Sequence, residues 1–482
     1  MDIVIDTSRL SNFFNLPVDQ MMWEFFINIG WMVLAGIFLY GVLLIYLQRI
    51  RSQWAAKNLK YILLAIDIPK SNEQSPKAVE NMFTYLGGAH GSVNFFEKWF
   101  EGKFQVSFSY EIVSLEGYTQ FLIRTPIEFR NLIETSVYSQ YPDAEISEVD
   151  DYIDTVPHHF PDEEYDVWGS EFLQAQPFAY PIKMYKEFEH IFGPSETQFK
   201  DPMASLMDLY GSLHEGEQLW MQIIVIPTGF DWVAEIDKTV DKILGKKKET
   251  QGLFLKFLEW VGELSEGIYS IWGDIEPKKE ERNGLSMVEL NPRQRKQIEA
   301  VQEKAGKLGF NAKIRVVYVA RRELLDKSKV VSGMVGYMKQ FAALDLNNLK
   351  PDTTSTMTKT VYFNKEKRLL RKKNSIMTNY INRDDFSGRT PGLYNIEELA
   401  TIWHFPIDAN VKSPLIQKAP GRKADAPSSL PIVGDFMGQS PQSFNVEILH
   451  SGKSTDEIAA EAERENDSRE NESTVPDNLP FA

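Results

Sequence analysis

The 482-residue chain contains no cysteine. That absence excludes disulfides, thiolate nucleophiles and every zinc site that uses cysteine ligands. Histidine is also scarce, with seven residues, and none stands beside a serine or carboxylate in the pattern of a hydrolase or zinc peptidase. The dinucleotide-binding fingerprint Gly-x-Gly-x-x-Gly does not occur either. We therefore predict no catalytic residue, no metal site and no cofactor, and we expect a protein that is not an enzyme.

One segment imitates a nucleotide site. The sequence SGKST at Ser451–Thr455 resembles the end of a phosphate-binding loop. Such a loop also needs a glycine where this chain has Glu447, a buried strand before it and a helix with a core face after it. Because the segment instead opens an acidic tail, we reject it as a nucleotide site.

The chain is acidic, with fewer basic than acidic residues. The chain has 52 Lys and Arg against 68 Asp and Glu, a net charge of −16. This balance argues against nucleic acid as a direct ligand of the whole surface.

A single cluster departs from this balance. Six cations fall within nine residues at Lys365, Lys367, Arg368, Arg371, Lys372 and Lys373. They fit a contact for phosphates or lipid headgroups. They fit equally an ordinary solvated basic helix whose Leu369 and Leu370 face inward.

Long apolar runs are limited to one stretch. Phe25–Leu47 contains no charged residue, and as a helix it would extend roughly 34 Å, enough to cross the hydrocarbon core of a bilayer. Trp23 and Tyr46 flank it as interfacial aromatic residues do. We predict a transmembrane helix in contact with the lipid bilayer, the alternative being a buried core helix of a soluble protein.

The charges beside this run predict its orientation. Arg49 and Arg51 begin a basic stem, residues 48–60, whereas the N-terminal side carries only Arg9. Under the positive-inside rule, residues 1–24 form an extracytoplasmic tail and the bulk of the chain is cytoplasmic. We expect a single-pass protein of the inner (plasma) membrane.

The residues after the stem predict a fold of the α+β class. Within residues 61–150, an apolar run, an alternating run, its hairpin partner and a short last run predict four strands. Apolar residues recur at helical spacing in two further stretches, giving the order strand, helix, strand, strand, helix, strand. This is the βαββαβ order of a ferredoxin-like module. A turn at Glu116-Gly117 predicts the central hairpin.

A connector and a second module follow. Asp143–Asp166 carries ten carboxylates and no Lys or Arg, which favours a solvated acidic connector over residues 151–175 rather than a calcium site. Residues 176–406 predict strands at 178–188, 218–226, 312–319 and 358–363. With a large helical insertion near 231–308, this gives a second βαββαβ-type module.

The end of the predicted folded region offers a candidate partner contact. Asn395 and Glu398 form a capping box before a short helix, which ends at Trp403, His404 and Phe405. Large aromatic residues dominate interface energies, so these three are candidate contacts for a partner, the alternative being that they close the core of the second module. Residues 407–450 predict a Pro-rich linker and 451–482 a disordered acidic tail.

Several long stretches resemble a family associated with the ATPases of bacterial type IV secretion and conjugation. They are Ile66–Leu86, Phe108–Tyr152, Lys200–Leu213, Gly216–Pro227 and Asn395–Pro406. In that family a similar region precedes a motor domain or stands alone as a membrane-anchored protein of uncharacterised function. Where a motor's phosphate loop would follow, this chain has its acidic tail.

The resemblance implies a non-motor component. We expect a membrane-anchored scaffold or coupling protein that docks a separate cytoplasmic secretion ATPase, with self-association as a further option. The alternative is a membrane-tethered enzyme or ligand sensor with a site between the two modules.

Overall fold

The computed structural model describes residues 31–69, 72–191, 197–199, 201–245 and 290–407, together with Pro17, Gln20, Trp23, Phe26 and Ile27. The rest of the N-terminal tail, the first part of the apolar run and the middle of the predicted helical insertion lie outside these residues. So do the linker beyond residue 407, the acidic tail and the SGKST segment.

The described elements alternate helices and strands. The helices are α1 Trp31–Asn58, α2 Pro76–Leu86, α3 Arg130–Tyr138, α4 Met203–Gly211, α5 Val233–Ile243, α6 Pro292–Ala305, α7 Lys327–Lys339, α8 Lys365–Ile381 and α9 Ile396–Ile402. The strands are β1 Tyr61–Asp67, β2 Phe108–Leu115, β3 Tyr118–Pro126, β4 Glu145–Val149, β5 Tyr165–Gln174, β6 Glu189–Ile191, β7 Thr197–Phe199, β8 Glu217–Pro227, β9 Gly309–Arg321, β10 Leu349–Pro351 and β11 Gly392–Asn395.

Nine strands form one antiparallel sheet. Its order is β10-β5-β9-β8-β2-β3-β1-β4, and β11 pairs with the beginning of β9. The first four strands along the chain occupy the spatial order β4-β1-β3-β2, with α2 after β1 and α3 after β3. In the second half β10-β5-β9-β8 repeats this order, with α4 after β5 and α7 after β9.

The two halves meet strand to strand. β2 pairs with β8 from Phe108↔Val225 to Leu115↔Gln218, so both halves share one hydrogen-bonded sheet. The chain thus combines an antiparallel sheet, helices and one N-terminal apolar helix in a mixed α+β fold.

Strand alternation divides the core between the two faces of the sheet. Leu64 and Ile66 point into the larger cluster, which buries the apolar faces of α2, α3, α4, α7 and α9. Leu63 and Ala65 point into the opposite cluster, which is covered by α8 and by residues 152–160. This two-residue period is what a strand buried on both faces requires.

One end of the sheet lies where α1 enters the domain. Tyr61 begins β1 and pairs with Pro126, the last residue of β3. Phe108 begins β2 and pairs with Val225 near the end of β8, which in turn pairs with Ala312 near the beginning of β9. We call this the stem end and the opposite one the remote end.

Three strand and connector predictions are wrong. The acidic connector is not simply solvated, because Tyr152, Ile153 and Phe160 are buried and residues 165–174 form the inner strand β5. Its carboxylates alternate with apolar residues that pack on the sheet. Residues 178–188 form a loop and a short helical turn, and residues 358–363 are not a strand, because β10 at Leu349–Pro351 fills that place.

Candidate functional sites at the two ends of the sheet

The helix α1 continues past its apolar part and packs on the domain. Its 28 residues include a window with a mean hydropathy of 2.0 and no buried residue, so it is long and apolar enough to cross a membrane. Beyond Leu47, Trp54 meets Phe104 edge to face, with ring centroids 5.3 Å apart. Arg51 lies over the ring of Phe386, at 5.4 Å from its centroid.

A glycine fixes this contact. Gly102 has φ of 77°, and a Cβ there would lie 2.5 Å from the carbonyl carbon of Ile50. Only glycine accommodates both the left-handed backbone and the close approach. The stem is therefore held against the domain by backbone packing as well as by ring contacts.

The residues around Gly102 form an exposed aromatic segment with a π-helical turn at Glu97–Glu101, and we call residues 94–103 the stem loop. Phe95, Phe96 and Phe100 expose 66%, 70% and 63% of their surface. Their rings contact each other or Trp99, at centroid distances of 5.4–6.2 Å. None of the predictions from sequence includes this loop, although its four aromatic residues within six positions were the available signal.

The predicted flanks of the membrane anchor lie along α1 and before it. Trp23 and Tyr46 are exposed, at 65% and 45%. Arg49 is exposed, whereas Arg51 is half-buried against the domain. Arg51 therefore serves the stem contact in addition to flanking the apolar run.

The six cations lie at the beginning of α8. Lys373 pairs with Asp166, which belongs to β5 at the remote end, and Lys372 donates to the carbonyl of Thr354 at 3.0 Å. Lys365, Lys367, Arg368 and Arg371 are exposed, and Leu370 packs inward. α8 begins at the end of the sheet farther from α1. A contact of these cations with phosphates or lipid headgroups stays a prediction.

Exposed apolar residues precede these cations. Val361, Tyr362 and Phe363 expose 54%, 71% and 91% of their surface. Together with Lys365, Lys367, Arg368 and Arg371 they form a surface that we call the remote patch.

The predicted partner contact at the end of α9 is wrong. Trp403, His404 and Phe405 are 0%, 0% and 1% exposed, so no partner reaches them. Trp403 packs against Tyr110 and Phe121, at ring distances of 5.0 and 5.9 Å. These three residues close the core, which was the alternative interpretation.

His404 joins a buried carboxylate to this core. Its Nε2 lies 2.9 Å from Asp201 Oδ1, and its Nδ1 lies 2.9 Å from the carbonyl of Ala400. Asp201 also accepts hydrogen bonds from the backbone N–H groups of Met203 and Ile407. Burial alone would raise the pKa of Asp201, but His404 and these N–H groups hold it below its usual value.

A row of buried polar side chains crosses the sheet on the α8 face. Glu171, Arg315, Gln222 and Glu111 stand side by side on β5, β9, β8 and β2, and all are 0% exposed. Arg315 Nε donates to Glu171 at 2.8 Å, and Gln222 Nε2 donates to Glu111 at 3.1 Å. Arg383, after α8, donates Nε to Glu111 at 3.0 Å. This row is closed to solvent, so its role is to fix strand register across the junction of the two halves.

The neighbours of Glu111 shift the pKa of its carboxyl group. Burial alone raises the pKa of Glu111, but the guanidinium of Arg383 and the hydroxyls of Ser109 and Tyr152 hold it below its usual value. The sequence signal was the presence of charged residues at inward positions of apolar strands.

A cleft of 520 Å³ opens at the stem end, where β9 changes its neighbour from β5 to β11. Its polar lining includes Lys313, Lys350, Asp352, Thr353, Thr354 and Arg389. Arg389 donates Nε and Nη2 to Asp352 at 3.0 and 3.1 Å. Burial and the nearby Arg315 lower the pKa of Lys313 to about 8, against the opposing carboxylate of Glu171. With three cations and one carboxylate, the cleft suits a small anionic group.

Within the part of the chain that the structure describes, no group of three or more His, Asp and Glu could hold a metal ion. The junction between the halves is continuous strand pairing, and the cleft at the stem end is lined by residues of the second half alone.

A family model described as a domain of unknown function, DUF8128, matches residues 66–406. The match runs from Ile66 in β1 to Pro406 after α9 and so covers both halves of the sheet but not α1. No curated protein matches the chain. Because the match covers more than two thirds of its length, the chain belongs to the DUF8128 family.

Proposed function

We propose that this chain is a single-pass scaffold of the inner membrane that docks a separate cytoplasmic ATPase of a type IV secretion- or conjugation-like apparatus. One observation carries the proposal. The apolar helix α1 runs without a break into a stem that is packed on the domain at Gly102 and Phe104. An anchor of this kind holds the domain in one orientation, which a flexible tether would not do.

The topology supports a scaffold. We interpret each half of the sheet as a ferredoxin-like module, since the order strand, helix, strand, strand, helix, strand and the spatial order 4-1-3-2 occur twice. Joining the modules through β2 and β8 converts two small sheets into one plate. A plate fixed to the membrane at one end presents its other end to the cytoplasm.

The remote patch is the surface that we assign to the partner. It combines exposed Tyr362 and Phe363 with the cations of α8, and aromatic and Arg residues contribute most to interface energies. Its distance from α1 keeps it clear of the bilayer. The resemblance to regions that precede a motor domain supports an ATPase as the occupant.

Affinity purification of the full chain from solubilised membranes of its own host tests this assignment. We expect an ATPase of the secretion class to co-purify with the wild type. Tyr362→Ser with Phe363→Ser should reduce its recovery roughly tenfold or more, because both side chains are exposed contacts. Tyr118→Ser is the matched control, since Tyr118 is an exposed aromatic residue at the same end of the other half.

Two results would contradict the proposal. One is purification of the wild type without an ATPase. The other is labelling of Phe363→Cys by an impermeant thiol reagent in intact cells, which would put the remote end outside the cytoplasm. The label would report this site alone, because the chain has no other cysteine.

The cleft favours a second candidate function, a membrane-tethered sensor of a small anion. The observation behind it is the convergence of Lys313, Lys350 and Arg389 on one polar cleft. Saturable binding of inorganic phosphate by the purified chain, lost in Arg389→Ala, would favour the sensor over the scaffold.

A further inference from the structure

The stem loop presents large aromatic side chains to solvent without a partner in the described structure. Phe95, Phe96 and Phe100 are each more than three-fifths exposed, and their rings touch only one another and Trp99 among the ring contacts of the described residues. Contiguous exposed apolar surface of this kind marks an interaction site.

The position of the loop identifies what covers it. Gly102 touches Ile50, which follows the apolar run by three residues, or about 4.5 Å along a helix. The interfacial layer on each side of a bilayer's hydrocarbon core is roughly 5–7 Å thick. In the proposed anchoring, the segment in contact with Ile50 therefore stands at the depth of the headgroups of the leaflet that α1 leaves.

The chemistry of the loop agrees with that depth. Trp99 has an apolar body and one N–H group, the combination found at membrane interfaces. Arg49 on the stem and Lys98 on the loop are exposed cations that can meet lipid phosphates. Glu97, the acid at the beginning of the turn, is paired with Lys103 at 2.9 Å.

Neighbouring loops extend the same surface. Ile127 follows β3, Phe230 follows β8 and Phe386 touches Phe104 beside the stem; they are 54%, 66% and 61% exposed. All three belong to the stem end defined by the strand register.

We infer that the stem loop inserts Phe95, Phe96, Trp99 and Phe100 into the interfacial layer of the cytoplasmic leaflet, as a second membrane contact beside the span. This inference rests on the proposed membrane anchoring. It implies that the stem end of the domain faces the lipid surface and contacts it.

Depth-dependent fluorescence quenching tests it on the full chain in liposomes of phosphatidylcholine and phosphatidylglycerol. Single cysteines at Phe96→Cys, Leu39→Cys and Phe363→Cys carry an environment-sensitive fluorophore, and nitroxide groups sit at a shallow or a deep position of the lipid chains. We expect roughly twofold or stronger quenching at position 96 by the shallow nitroxide, at position 39 by the deep one, and none at position 363.

The three labelled positions distinguish insertion of the stem loop from membrane anchoring by α1. Quenching at 39 without quenching at 96 would overturn the inference while the anchor stands. No quenching at 39 would refute the membrane anchoring itself. A blue-shifted label at 96 that lipid nitroxides do not quench would mean that protein, a partner or a second copy, covers the loop, and would also overturn the inference.

A second experiment tests whether the aromatic rings keep the stem loop at the membrane surface. With the label at Ser92→Cys, an exposed position beside the loop, we expect shallow quenching that is lost when Phe95, Phe96 and Phe100 become serine. The thermal midpoint should not change, because these rings are exposed. Quenching that persists in the triple variant would overturn the role assigned to them.

Discussion

At the scale of single residues, burial decided the roles that composition left open. Trp403, His404 and Phe405 have the residue types of an interface, yet the structure encloses them. Their neighbours Tyr110 and Phe121 lie almost three hundred residues earlier, so no local pattern could reveal the contact. The capping box of Asn395 and Glu398 was predictable and is confirmed, because both partners lie within one turn.

The hydrogen bond between Asp201 and His404 leads to a prediction about acid stability. The pKa of Asp201 is held below its usual value in the fold, so Asp201 contributes stability above the unfolded pKa near 4, and that contribution is lost as the pH falls through the folded value. We expect Asp201→Asn to lower the free energy of unfolding at pH 7 by about 1–3 kcal/mol. Urea titrations at pH 7 and pH 3 should show this difference shrinking at the lower pH.

Glu163→Gln is the control, because it removes one negative charge at an exposed position. If Asp201→Asn lowers the free energy of unfolding by the same amount at both pH values, the ionised carboxylate is not the source of stability.

At the scale of elements, periodicity predicted what was locally regular. The hairpin of β2 and β3, the strand β8 and the helices α2 and α3 follow from alternation and helical spacing, and all are confirmed. β5 was missed because its first residues continue an acidic stretch. Its inward residue Glu171 carries a charge that Arg315 on β9 and the backbone N–H of Arg389 stabilise.

The close packing of the stem gives the prediction at this scale. Gly102→Ala forces a side chain onto the backbone of Ile50 at a positive φ, so it should destabilise the domain by more than about 1 kcal/mol. Detachment of the stem should also speed tryptic cleavage after Arg51 and Lys57. Gly88→Ala is the matched control, because a Cβ there meets nothing within 4 Å. Equal cleavage rates in both variants would mean that the stem is not held at Gly102.

At the scale of the whole molecule, the shared sheet was beyond the reach of the sequence. The elements of the first half follow from local patterns, but the pairing of β2 with β8 joins residues about one hundred positions apart. The near-continuous apolar run of β8 was a hint, since strands buried on both faces look like this. It did not say which strand would lie beside it.

Continuous pairing predicts that both halves unfold together. Trp220 on β8 is fully buried and packs against Tyr152 and Tyr380 across the junction. Trp220→Ala should therefore lower the stability of the whole domain by about 3–5 kcal/mol and leave one transition. Calorimetry and tryptophan fluorescence should agree on a single midpoint, and Phe230→Ala, an exposed control, should leave it unchanged. Two resolved transitions would show that the halves are independent.

In the proposed anchoring, the rigid stem couples the orientation of the domain to the tilt of α1 in the bilayer. The tilt of a spanning helix responds to bilayer thickness. Because α1 is clamped at Gly102, a tilt of the helix turns the whole plate with it. Over the 13 residues of β9, about 40 Å, a tilt change of 10° swings the remote patch by roughly 7 Å. Under the proposed function, membrane thickness would therefore set the position of a docked partner.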